Sequence, residues 1–154
     1  MAFAELIQTM SEAAARGDGQ AVADCFTPDG VYDDVFYGPF QGAAIIDMIE
    51  NYFHRDGCNF RWDIHDPVDN GSVGYARYVF SYESKLEGLE GKRALFEGVA
   101  ICQLKNGKIA HYSEIANSAT GLLGLDFGPE RLAKFVNKQK AALEAREEAA
   151  HHLK

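Results

Sequence analysis

The segment NGKIAHYSEIAN, residues 106–117, opens on a turn signal and then sets three groups able to move protons, His111, Tyr112 and Glu114, along an otherwise apolar strand. Alternation puts Ala110, Tyr112, Glu114 and Ala116 on one strand face and Ile109, His111, Ser113 and Ile115 on the other. If the first set lines a cavity, burial among aromatic rings raises the glutamate pKa toward neutrality, which suits a group that must both take and give a proton. The competing reading leaves Glu114 in water, or in an ion pair with Arg77 or Lys108. Asp33 and Asp34 form a second candidate. Adjacent strand residues point to opposite faces, so at most one enters a pocket, and Tyr32 shares the face of Asp34.

Tyrosines supply the rest. In GYARYVFSYES, residues 74–84, Ala76, Tyr78, Phe80 and Tyr82 share one face and Tyr75, Arg77, Val79 and Ser81 the other. A wall of tyrosines can stack a planar substrate while its hydroxyls bond phenol or carbonyl oxygens, although Phe80 also suits a plain core. Trp62 and Phe60 alternate with Arg61 and Asp63 and suit either ligand contact or helix packing. His54 and Arg55 fit the negative end of a helix dipole. His151 and His152 lie in a tail of alanine and charge. No two histidines share metal-ligand spacing on a firm element, so neither a metal nor another cofactor is expected.

The elements that must position these groups follow from periodicity. Phe3, Leu6, Ile7, Met10 and Ala14 recur at helical spacing up to Gly17, Asp18 can cap a short second helix, and TPDG at 27–30 breaks the chain before a strand VYDDVFYG. Ile45, Met48, Ile49, Tyr52 and Phe53 share one face of a helix from about Gly42 to His54. Four segments rich in β-branched and aromatic residues follow, separated by DNG, EGLEG and NG, which predicts an antiparallel meander. Helices first and strands afterwards give an α+β fold: a curved antiparallel sheet with the helices against one face, able to wrap a pocket at its wide end. SATGLLGLDFG, residues 118–128, reads as a lid or as a segment laid on a neighbouring subunit. Pro129 then opens a last helix carrying Leu132, Phe135, Val136 and Leu143 on one side. Residues 1–128 are expected to form one domain and 129–154 an extension of it.

Composition narrows the partners. The 154 residues suit a single core, and 47% hydrophobic with 25% charged residues is globular composition. No apolar run approaches the ~18 residues of a membrane span, and the first residues lack the cationic lead of a secretory signal, so a cytoplasmic protein is expected. A formal charge of -8 opposes nucleic acid. Cys25, Cys58 and Cys102 are too dispersed for a disulfide framework. A small hydrophobic ligand and a homodimer or higher homo-oligomer are the expected partners.

The order helix, short helix, FTPDGVYDD, glycine-started helix and meander ending in NGKIAHYSE resembles the nuclear transport factor 2-like superfamily, particularly its SnoaL-like polyketide-cyclase branch, over about residues 3 to 117. The resemblance implies a cone-shaped α+β barrel, in which Glu114 occupies the position of the cyclases' acid/base aspartate and Asp34 that of the proton-abstracting carboxylate of ketosteroid isomerases. Met10 and the stretch Val99 to Ile101 stand where the isomerases carry an oxyanion hole, which is therefore absent. Tyr32 and Asp34 resemble the water-holding pair of limonene-epoxide-hydrolase-like enzymes, but Tyr78, Phe80 and Asn117 replace the rest of that set. His65 and His111 match no dehydratase motif. The resemblance thus implies a cofactor-independent acid/base enzyme with Glu114, Asp34 and Tyr32 as catalytic candidates and Tyr78, Phe80, Tyr82, Tyr112 and Trp62 as substrate contacts. Cyclisation, dehydration, isomerisation and retro-aldol cleavage all stay open, and so does a ligand-binding or assembly module without chemistry.

Overall fold

A computed structural model describes all residues, 1–154. Helix α1 (Phe3–Arg16) buries Phe3, Leu6, Ile7, Met10, Ala13 and Ala14, the predicted face, and stops where Gly17 turns left-handed at φ 81° and donates its N–H to the last carbonyls. Asp18 then caps α2 (Gly19–Asp24), accepting from Ala21 N at 3.0 Å. A second helical rod spans residues 44–56: α3 (Ala44–Asp47), a π-helical stretch Met48–Phe53 and α4 (His54–Asp56). It lies two residues later than the sequence suggested. His54 Nε2 meets Ala14 O at 2.8 Å, tying this rod to the carbonyl end of α1.

Six strands form one sheet in the order β2 (Gly38–Gln41), β1 (Phe26–Asp34), β6 (Lys108–Ala116), β5 (Arg93–Lys105), β4 (Val73–Ser84), β3 (Gly57–Asp69). β3 to β6 run as the expected antiparallel meander, and the β5–β6 turn uses Asn106 and Gly107 at positive φ, as a two-residue hairpin requires. One feature departs from an all-antiparallel sheet: β1 lies parallel to β6, pairing Val31 with His111 and Tyr32 with Tyr112. The last strand of the sheet is therefore interior, with neighbours on both sides. TPDG does not precede the strand as expected but bulges inside it, between the pairs Phe26–Ile109 and Val31–His111, while the predicted strand residues Val35 to Tyr37 form the turn into β2.

Curvature comes from β3, whose two register shifts each contain a residue at positive φ, Asn59 and Asp66. The concave face closes over α1 and the second rod to give a core that includes Ile7, Met10, Ile45, Met48, Ile49 and Ile109, with Cys25 and Cys102 buried as free thiols. Gly74 allows this fit: a Cβ there would meet the Phe3 ring at 2.5 Å. The sheet stays open. Residues 118–128 form α5 (Ser118–Gly124) and its exit, folded back on β5 of the same chain, where Leu122 and Leu125 bury against Ala94. Helix α6 (Pro129–Glu144) buries no residue completely but sends Leu132 and Phe135 to the same small cluster, and a 3-10 turn (Glu147–Leu153) ends the chain on the surface.

Candidate active site

Tyr32 and Asp34 project inward from the end of β1, Tyr112 and Glu114 from β6, Tyr78 and Phe80 from β4 and Trp62 from β3, each on the face that strand alternation assigns. Tyr32, Asp34, Trp62, Tyr78, Phe80 and Glu114 line one cavity, joined by Val35, Phe36, Phe53 and Phe96. Its free volume is about 20 Å³, room for a single water. Tyr112 stands behind that wall, its ring 4.5 Å from Tyr32 across the parallel pair. Tyr82 belongs to a neighbouring cavity with Tyr37, Asp56 and Phe60; Phe36, Phe53 and Phe80 are the partition between the two.

Glu114 accepts a very short hydrogen bond from Tyr78 Oη. The tyrosine is on β4 and the glutamate on β6, so the bond crosses β5. It can do so because β5 offers only Gly98, opposite Tyr78, and Ala100, opposite Glu114. A Cβ at Gly98 would meet Tyr78 Oη and Ala116 Cβ at 2.7 Å. Neither ion pair considered for Glu114 forms: Arg77 reaches Asp66 at 3.3 Å, and Lys108 Nζ donates to Asp24 O at 2.9 Å.

Although Glu114 keeps part of its surface open to the cavity, it has no cation beside it, and burial with the charge of Asp34 pushes its pKa up to about 8 against the pull of Tyr78 and, more weakly, Tyr112. Tyr112 Oη falls short of hydrogen-bond geometry and keeps no partner. Asp34 is held differently. Its Oδ2 accepts from Phe36 N at 2.9 Å and Tyr37 N at 3.0 Å, fixing the turn out of β1, while Oδ1 takes no bond. Burial pushes the Asp34 pKa up to about 6, with the two N–H groups opposing it. One cavity therefore holds two carboxyl groups whose proton affinities burial has raised, that of Glu114 further than that of Asp34.

Asp33 lies on the other strand face and does not line the cavity. His65 and His111 also face away, paired with Arg77 and Gln103. No three His, Cys, Asp or Glu side chains converge as a metal ligand set would. Phe36, Phe53 and Phe96 escaped the sequence analysis. Phe96 could have been found, since it alternates on β5 opposite Phe80; Phe53 was placed on the buried helix face but its reach into the cavity from the end of the π-helical stretch was not legible, and Phe36 arrives from a turn that has no periodicity.

Solved structures share this architecture. IdmH from Streptomyces antibioticus, which carries a provisional designation as a polyketide cyclase, is 16% identical with a TM-score of 0.67, covering 82% of this chain and 100% of its own. A protein of ketosteroid isomerase-like fold from Catenulispora acidiphila, solved with trimethylamine, is 16% identical with a TM-score of 0.71, over 83% and 100%. An LEH-like epoxide hydrolase from M. tuberculosis is 16% identical with a TM-score of 0.63, over 87% and 94%. At such identities the likeness establishes the fold. No curated protein matches the chain in sequence. The family model of the SnoaL-like domain matches residues 7–112, ending just before Glu114. With that match over more than half its length and an open, curved six-stranded sheet around its helices, the chain belongs to the SnoaL-like family of the NTF2-like fold.

Proposed function

We propose that this chain is a cofactor-independent acid/base enzyme acting on a small hydrophobic, aromatic or polycyclic substrate. One observation carries the reading: two carboxyl groups share an aromatic cavity with pKa values of about 6 and about 8, so that at neutral pH Asp34 can take a proton and Glu114 can give one. Asp34 Oδ1 removes a proton from carbon next to a carbonyl, and Glu114 transfers its own to the carbonyl oxygen, leaving an enol. Solvent resets the pair. Tyr78, kept neutral by burial, orients Glu114 by donating to it. Enolisation of this kind underlies isomerisation, cyclisation, dehydration and retro-aldol cleavage alike.

A bicyclic substrate needs more than the room of one water. Rotation of Phe36 and Phe80 would join the two cavities they divide, and Phe36 is held from outside by Phe135 of α6, ring to ring at 5.5 Å. Residues 129–154 are then an extension that keeps the mouth shut. The exposed outer face of the sheet, with Tyr75, Leu95, Val99 and Ile115, is the surface for a second copy of the chain.

Exchange of the α-protons of 2-tetralone into D2O, followed by proton NMR, tests the chemistry. The chain should accelerate exchange over buffer, and Asp34→Asn and Glu114→Gln should each abolish the acceleration. The rate should climb as pH rises through about 6 and fall above about 8. Binding of the ketone without accelerated exchange would make the chain a ligand-binding module instead.

A further inference from the structure

Trp62 is the single tryptophan of the chain and is 8% exposed. Its indole stands edge-on to Tyr78 and Phe80 of β4, with ring centroids 5.8 and 5.4 Å away, and these two rings fix its orientation. It forms part of the wall of the cavity that holds Asp34 and Glu114. Yet Trp62 Nε1 is fully buried and finds no acceptor in the protein. An indole N–H is a donor only and cannot swing aside as a hydroxyl can, and a buried tryptophan N–H ordinarily has a partner. The one other buried donor without a partner, Tyr112 Oη, is a rotor beside Glu114 and outside the cavity lining. The N–H therefore asks for an acceptor that the chain does not supply, and the indole that carries it lines a space about one oxygen atom in size.

We propose that Trp62 Nε1 donates a hydrogen bond to the substrate's oxygen, making the cavity a one-oxygen site that selects ligands with a carbonyl or phenol oxygen on an apolar ring system. This rests on the acid/base reading above and deepens it: the indole holds the oxygen that Glu114 protonates and favours the charge that gathers there as Asp34 removes the proton. It stands in for the oxyanion hole whose usual residues are missing from this sequence. The site recognises an acceptor, so a hydrocarbon of the same shape loses the contact and leaves the N–H buried without a partner.

Binding of 2-naphthol and naphthalene tests this, because the two share ring system and ring current and differ in the oxygen. The single indole gives one Nε1–H signal in a nitrogen-15 NMR spectrum. 2-Naphthol should move its proton downfield, naphthalene should not, and 2-naphthol should bind about tenfold tighter. Trp62→Phe, which keeps an aromatic ring without the N–H, should erase the preference for 2-naphthol over naphthalene. An indole signal that both compounds move alike, or a preference that survives in Trp62→Phe, overturns the assignment while the aromatic pocket stands. Should neither compound bind at millimolar concentration, the aromatic-ligand reading falls and this one with it. The measurement on the unaltered chain decides even if Trp62→Phe does not fold.

Discussion

A carboxyl group whose proton affinity burial raises in the folded chain ties stability to pH. Glu114 ionises near 4.5 when unfolded and near 8 when folded, so between those values the folded chain keeps a proton that the unfolded chain has released. Its stabilising effect is whole below about 4.5 and is lost as pH rises through about 8. Asp34 acts with the same sign, from 3.8 to about 6. Glu114→Gln keeps an oxygen for Tyr78 to donate to and removes the titration. Chemical denaturation should therefore find the variant gaining on the parent by on the order of 3 kcal/mol between pH 5 and pH 9. A constant difference between the two proteins across that range would mean that Glu114 is solvated. At this scale the residue types were readable: strand alternation alone grouped Tyr32 with Asp34, Tyr112 with Glu114 and Tyr78 with Phe80. The unpaired state of Trp62 Nε1 was not, because whether a buried donor finds an acceptor depends on atoms brought from five strands.

Among the elements, β5 does the least conspicuous work. Its inward residues run Phe96, Gly98, Ala100 and Cys102, and the small pair opens the trough through which a β4 hydroxyl reaches a β6 carboxylate. Gly98→Ala puts a methyl 2.7 Å from Tyr78 Oη, closer than van der Waals contact, which should cost about 1 to 3 kcal/mol in stability. With the Tyr78 bond weakened, the Glu114 pKa should rise further, and the alkaline limb of the exchange profile should move up. A variant as stable as the parent with an unmoved profile would remove Gly98 from the site. The sequence marked β5 as a strand but gave no reason to single out its glycine, since only the strand order places β5 between Tyr78 and Glu114. The parallel pairing of β1 with β6 was equally hidden: the local pattern of a strand is the same whichever way its neighbour runs.

For the whole molecule the question is how a ligand enters. Phe135 of α6 covers Phe36, which in turn covers the cavity. Phe135→Ala should cost about 1 kcal/mol of stability and speed both entry and release of 2-naphthol, as stopped-flow fluorescence would record; unchanged rates would place the entrance elsewhere. On the opposite side, Ile115 is 67% exposed beside Val99. If this face joins two copies, light scattering should find a multiple of the chain mass for the parent and a single chain for Ile115→Lys, whereas a monomeric parent would end the proposal. The sequence by itself determined the α+β class, the helices, the meander and the list of groups able to handle protons, because hydrophobic period, turn residues and side-chain chemistry are local properties of the chain. The tertiary structure alone decided that Asp34 and Glu114 share one cavity, that their surroundings drive their proton affinities up by different amounts, and that Phe135 from far along the chain packs on Phe36 of the cavity wall. Those outcomes depend on desolvation and on distances across strands that are remote in sequence, and neither exists until the chain has folded.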